Sequence, residues 1–198
     1  RLVYTEHDYI SDDKLKEINS KDVIIFNDKD SEIKIENGLK ISVSLFEQDN
    51  VVAFFAKSNC PTIEFDKINF HKVEDYWEPI KTLDKSIIIE KNKFYILKSK
   101  EKVRIPPYLA GEMVAYDTGI GDFRAHYAGF FDPGFGDPNG SYAVLEVKTN
   151  ELPFIIEDGQ TIARIRYEKL NKKSNIVYGE GIKSNYQNQG LKLSKHFK

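Results

Sequence analysis

The chain has 198 residues, 40% hydrophobic and 30% charged, the balance of a soluble globular protein long enough to bury a core. Its net charge of -2 excludes a sequence-independent polynucleotide binder, which needs a basic footprint, but not the binding of a small anion by a few local cations. The single cysteine, Cys60, excludes internal disulfides and a cysteine cluster, and no run approaches the ~18 apolar residues of a membrane helix.

The N-terminus carries no charged-then-apolar leader, so a cytoplasmic location is expected. An opening on Arg1 rather than Met fits a piece of a longer protein. Residues 1–21 read as a lead-in. Ser11 followed by Asp12 and Asp13 is a helix N-cap with acids in the first turn, where the dipole favours them. Leu15 and Ile18 supply a short apolar stripe, which predicts a two-turn helix over Asp12–Asn19.

From Val23 the period changes to two. VIIF (23–26), Leu39–Leu45, VVAFF (51–55), TIEF (62–65), SIIIE (86–90) and KFYILKS (93–99) read as short strands, separated by Asp, Asn, Lys and Gly. Strands at this spacing, with no helical pattern between them, predict a mainly β, antiparallel sandwich or jelly roll. VEDYWEPI (73–80) holds Trp77, which reads as a core or domain-packing residue rather than a base-stacking platform. Pro106-Pro107 ends the strand begun at Lys102, and LAGEMVAY (109–116) leads into the densest part of the sequence.

That part is RAHYAGFFDPGFGDPNGSYAVLEV, from Arg124 to Val147. Phe123–Phe130 alternates, with Phe123, Ala125 and Tyr127 on one face and Arg124, His126 and Ala128 on the other. Asp132-Pro133-Gly134 and Asp137-Pro138-Asn139-Gly140 give two turn signals before the strand Tyr142–Lys148. Glu146 stands in that strand between Leu145 and Val147. A carboxylate there is paired, solvated in a cleft, or shifted in pKa; an exposed carboxylate on a half-buried strand is the plain alternative. Leu152-Pro153 then resets the chain, and Phe154–Ile156 and Ile162–Tyr167 read as a hairpin around Glu157-Asp158-Gly159-Gln160. Arg164 and Arg166 share a strand face that reads as solvated surface. The tail from Asn171 is polar and lysine-rich, and by composition alone it is a frayed terminus.

HYAGFFDPGFG followed by AVLEV resembles the nucleotide-binding core shared by dUTPases and the related dCTP deaminases. The fuller resemblance is to the second half of tandem-domain dCTP deaminases. EMVAYDTGIGDFRAHYAGFFDPGFG, VEDYWEPI and the tail GIKSNYQNQGLKLSKHF carry it, in that family's order, over nearly the whole chain. It implies a dUTPase-like distorted jelly roll or β-barrel with a short N-terminal helix. Residues 22–170 would form the nucleotide-binding domain, and 171–198 a lid over the nucleotide, often that of a neighbouring subunit.

The implied reaction is hydrolytic deamination of dCTP to dUTP and ammonia. Zinc deaminases use an H-x-E…P-C-x-x-C pattern that is absent here, so no zinc is expected and a glutamate must activate the water. The resemblance makes Glu146 the general base and has the main-chain carbonyl of Ala128 orient the water. Asp132 falls near the deoxyribose, and Val144, Leu145 and Glu146 on the strand that reads the base edge. Tyr178 and Gln189 keep the family's spacing for triphosphate contacts, and Mg²⁺ bound through the triphosphate is implied. Asn185 stands where a phosphate-binding lysine is usual, with Lys183 nearby.

The Ser-x-x-x-Arg signature of single-domain dCTP deaminases is missing. Ala115-Tyr116-Asp117-Thr118-Gly119 occupies its place, and Arg124 follows five residues on. The resemblance therefore expects that signature in an upstream half, with assembly as a homotrimer or pseudo-trimer. A dUTP diphosphatase on the same fold, and a non-catalytic half that completes another domain's site, are the other readings.

Overall fold

The computed structural model describes residues 9–27, 32–46, 51–115, 123–126, 129–149, 152–172, 176–180, 187 and 190–198. Helix α1 spans Asp12–Lys21, about half a turn longer than the expected Asp12–Asn19. The Ser11 hydroxyl caps it by accepting from the Lys14 N–H, and the Asp12 carboxylate accepts from the N–H groups of Asn37 and Gly38 at 2.7 and 2.8 Å. Leu15 is its buried anchor.

The strands follow as β1 (Ile25–Phe26), β2 (Leu39–Ser44) and β3 (Val51–Ala56). After the short helix α2 (Val73–Tyr76) come β4 (Trp77–Lys81), β5 (Ser86–Ile89), β6 (Phe94–Val103) and β7 (Leu109–Ala115). Then β8 (Phe123–His126), β9 (Phe130–Phe131), β10 (Ser141–Thr149), β11 (Phe154–Glu157) and β12 (Thr161–Lys169) complete the described set. Among the described residues, ten strands share one sheet, ordered β4-β3-β6-β2-β12-β7-β9, with β1 and β10 also on β6 and β8 on β10. Strand β6 therefore has four partners, and the sheet must curl around it. Every pairing between named strands is antiparallel. This mainly β architecture with one N-terminal helix is the fold class the sequence predicts.

Three strand expectations need correction, and one stretch without an assigned element gains two. Residues 62–65 are not a strand: Phe65 is 79% exposed, and the Glu64 N–H donates to His71 Nε2 instead of to a ladder. VEDYWEPI makes α2 and β4, because Trp77–Lys81 finds β3 as a partner. The run Phe123–Phe130 breaks: β8 pairs with β10, while Phe130–Phe131 crosses to β7. The turn around Gly159 forms, with the Gln160 N–H on Glu157 O at 3.0 Å, but its arms diverge. β11 pairs with β5 and β12 with β2 and β7, because the Asp158 carboxylate ties the turn to the Leu45 N–H and Lys100. Burial raises Asp158, but that backbone N–H and Lys100 outweigh it and hold the carboxyl below its ordinary value. Arg164 and Arg166 are half-buried, and Arg166 lies over the Tyr9 ring at 4.8 Å.

The main core gathers Leu39, Ile41, Val43, Tyr95, Leu97, Ala143, Leu145, Val147, Ile165 and Tyr167 between the faces of the curled sheet. A second cluster, Tyr76, Ile96, Leu193 and Phe197, joins β6 to the C-terminus. Among the described residues no helix is long and apolar enough to cross a membrane.

Candidate active site

Strand β10 alternates residue by residue. Ser141, Ala143, Leu145, Val147 and Thr149 are buried; Tyr142, Val144, Glu146 and Lys148 are half-buried on the opposite face. Glu146 is opposite Ile96 of β6 and His126 of β8 in register. It lies on the floor of a cavity of about 310 Å³, within the range of small-ligand pockets. Phe94, Ile96 and Val144 share that floor, with Trp77 beside it, and Phe130, Phe131, Asp132 and Phe135 form a wall. Tyr178 and Lys192-Leu193-Ser194 close it from the tail.

Among the described residues no hydrogen bond or ion pair reaches the Glu146 carboxylate, and burial alone pushes its pKa above the ordinary glutamate value. A carboxylate among hydrocarbon, with room beside it, can take a proton from a water molecule and return it. Asp132, the other acid at the cavity, is exposed.

The wall is built by the Asp-Pro-Gly turns. Gly134 N–H donates to Ile105 O at 2.7 Å and Ile105 N–H to Phe135 O at 2.8 Å, fixing the loop on the chain before β7. Arg104 clamps its far side through Asp137 at 2.5 Å and through Asp22. The Asp137-Pro138 bond is cis. Gly134 has φ +95°, and a Cβ there would meet the backbone N and O of Tyr178 at 2.9 and 2.8 Å. Only glycine lets the tail approach this closely. Tyr178 N–H then donates to Pro133 O at 2.7 Å, and its ring tilts onto Phe135 at 5.8 Å. Gln187 adds a second tie, accepting from Gly136 N–H at 2.9 Å and donating to Gly134 O at 3.1 Å.

The end of the chain is anchored elsewhere. Asn69 N–H donates to Lys195 O at 2.9 Å, His71 N–H to His196 O at 3.0 Å, and Lys198 N–H to His71 O at 3.0 Å. Phe197 meets the rings of Tyr76 at 5.3 Å and Trp77 at 6.0 Å. The described tail is thus packed against the chain's own β-structure.

The family model described as "2'-deoxycytidine 5'-triphosphate deaminase (DCD), C-terminal domain" matches residues 11–197. The chain belongs to this family. Among solved structures it is similar to a 2'-deoxycytidine 5'-triphosphate deaminase from Agrobacterium tumefaciens, with 35% identity and a TM-score of 0.77. That match covers 85% of this chain and 51% of the other, so the chain spans about half the length of the enzyme it resembles. No curated protein sequence matches it.

Of the residues singled out in the sequence, Glu146, Val144, Asp132 and Tyr178 come together at the cavity of this deaminase-family domain. Leu145 turns its side chain into the core, 1% exposed, and has only main chain to offer a ligand. Arg124 is opposite Lys148 in register on β8. Ala128, Lys183, Asn185 and Gln189 lie outside the described residues. The sequence reading named neither Phe94 nor Ile96, took Lys192–Ser194 only as part of the expected lid, and assigned Trp77 to packing alone. Phe94 and Ile96 were legible: they lie two apart on a strand facing β10, so they share a face with each other. Nothing in the composition of the tail marked Lys192–Ser194.

Proposed function

We propose that this domain carries the glutamate-bearing part of a dCTP deaminase site. One observation supports it above the rest: a half-buried carboxylate, unpaired among the described residues and raised in pKa by burial, on the floor of a nucleoside-sized cavity. In this reading Glu146 takes a proton from a water whose oxygen bonds to C4 of the cytosine. Glu146 passes that proton to N3 of the ring; the proton of the new C4 hydroxyl is then transferred to the amino group, and the tetrahedral carbon collapses with cleavage of the C4–N bond to give dUTP and ammonia. The Ala128 carbonyl orients the water, and Asp132 meets the deoxyribose. The family resemblance assigns triphosphate contacts to Tyr178, Gln189 and Lys183.

Mg²⁺ would arrive on the triphosphate. Among the described residues no group of three His, Cys, Asp or Glu gathers, so phosphate oxygens and water are the fitting ligands. The missing serine and arginine are supplied from another polypeptide segment, in a cytoplasmic homotrimer or a pseudo-trimer with an upstream half. Support comes from the Ala115–Gly119 stretch, which has neither residue.

The test is Glu146→Gln in the intact protein, with ammonia and pyrophosphate both measured. Nucleotide should still bind while deamination falls on the order of 10² to 10⁴-fold. Because a general base must be ionised, activity of the parent should fall on acidification at a pH above the ordinary glutamate range. Unchanged ammonia release in the variant removes Glu146 from the chemistry. Pyrophosphate release from dUTP without ammonia from dCTP makes the site a diphosphatase.

A further inference from the structure

The tail residues that close the cavity are docked on a buried histidine. His71 is 6% exposed, with the rings of Phe70, Tyr76 and Phe197 at 5.2, 5.3 and 6.3 Å, and both of its ring nitrogens are engaged. Its main chain carries the tail. His71 N–H donates to His196 O at 3.0 Å, Phe70 N–H to the same oxygen at 3.1 Å, and Lys198 N–H to His71 O at 3.0 Å. Leu193 and Phe197 share a cluster with Tyr76, so this docking also sets Lys192–Ser194 at the cavity.

The bonding of the ring fixes its proton. The Glu64 N–H, which only donates, meets Nε2 at 3.1 Å, so Nε2 carries a lone pair. The neutral ring then has its hydrogen on Nδ1 and donates it to the Tyr76 hydroxyl at 3.0 Å. The hydroxyl's own hydrogen is left for Thr62 O at 3.5 Å. A second proton binds only at Nε2, where it faces the Glu64 N–H donor to donor, and its charge is held among rings. The ring or the 62–71 segment must then move, and the hydrogen bonds of the tail move with it.

The other titratable groups on the packed segments are Glu64, whose carboxylate meets Lys67 at 2.8 Å, Cys60 and Asp75 beside Tyr76, and His196. His196 Nδ1 donates to Lys67 O at 3.0 Å, a bond that survives protonation of that ring. Lys72 and Lys198 are exposed cations, and Lys195 is half-buried.

We propose that neutral His71 is a positioning residue for the closure of the cavity: it holds the tail while Nε2 accepts from Glu64, and proton uptake at Nε2 releases residues 192–198. The closed form has no place for the second proton, so acid favours the open form. The floor on β10 takes no part and stays folded while the closure opens. The assignment goes beyond the deaminase reading and does not depend on it.

Two measurements on the intact protein test it between about pH 8 and pH 5, the span over which histidine gains its proton. Nitrogen NMR should find the His71 hydrogen on Nδ1 at the upper end. Amide exchange, corrected for its intrinsic pH dependence, should lose about tenfold in protection at Phe70, His71 and Lys198 as the His71 ring titrates, the factor for one buried hydrogen bond. Leu145 and Val147 should keep theirs. His71→Gln, whose amide oxygen accepts from the Glu64 N–H and which does not titrate, should stay protected across the span. Tyr76→Phe, which removes only the Nδ1 partner, should keep the step. A hydrogen on Nε2 overturns the assignment, as does protection in the parent that is flat with pH or a step that persists in His71→Gln. Should His71→Gln not fold, the tautomer and the coincidence of the parent's step with the titration of the ring decide. Neither measurement involves nucleotide, so failure here leaves the deaminase reading standing, and loss of that reading leaves this one.

Discussion

Strand Ser141–Thr149 and the tail residues 190–198 line the same cavity, yet they are held by different kinds of interaction. The strand has a ladder on each side, to β6 and to β8, and puts every second side chain into the main core. Among the described residues the tail joins no strand ladder. It is secured by four backbone hydrogen bonds to residues 69–71 and by Leu193 and Phe197 in the smaller cluster. Residues fixed by a central strand cannot move without the fold. Residues fixed by a terminal aromatic cluster can detach while the rest stands. Floor and closure therefore differ in how far a substitution should propagate.

The largest stability effect belongs to the floor. Leu145 is 1% exposed and adjacent to Glu146, so Leu145→Ala leaves a cavity under strand β10. It should cost about 3 kcal/mol in a denaturant melt, with turnover per folded molecule largely kept. A loss below ~1 kcal/mol would mean that the strand is not anchored as described.

A smaller global effect is expected at the tail. Phe197→Ala removes the rings' partner at Tyr76 and Trp77 but leaves the main core intact. Global stability should fall by about 1–2 kcal/mol, with faster amide exchange at His71 and Lys198, whose N–H groups hold the two segments together. Nucleotide KM should rise several-fold with kcat nearly unchanged. A destabilisation comparable to that of Leu145→Ala would erase the distinction between the two regions.

Gly134→Ala sits where the two meet. Its φ of +95°, with the Tyr178 backbone 2.8 Å from the place a methyl group would take, leaves no room for a side chain. The expected cost is about 1–3 kcal/mol. The Tyr178 segment should give way first, because it is the terminal side of the clash. Retention of the Tyr178 ring against Phe135 in a structure of the variant would show that the loop yields instead.

The same division explains what was legible in the sequence. The period of two in Tyr142–Lys148 placed Glu146 and Val144 on one face and Leu145 on the other before any partner was known. The turns at Asp132 and Asp137 were equally local. By contrast, TIEF has a strand's composition, yet His71 takes its backbone N–H. Trp77 reaches the cavity because β4 pairs with β3, and Leu193 and Phe197 dock because α2 presents Tyr76; none of these partners is within ten residues of the tail. Lys192–Ser194 inherits its place from that docking. Interactions of this range leave no period to read.

The smallest effect expected concerns Glu146 itself, and it runs opposite to the others. Burial raises its carboxyl above the ordinary value of 4.5, so the folded chain holds this proton more tightly than the unfolded chain. The stability that this contributes is complete below the unfolded pKa and is lost as pH rises through the folded one. Near neutrality the ionised group is therefore a burden on the fold, and glutamine, which has the same shape and no charge, lacks that burden. Glu146→Gln should therefore melt higher than the parent at pH 7. The gain should shrink on acidification and vanish below about pH 4, where both side chains are neutral. Melting curves of parent and variant across that range give the answer directly. If the difference is flat with pH, the carboxylate is compensated in the folded protein. A parent that is the more stable at pH 7 would indicate a stabilising partner for Glu146 and weaken its role as a poised base.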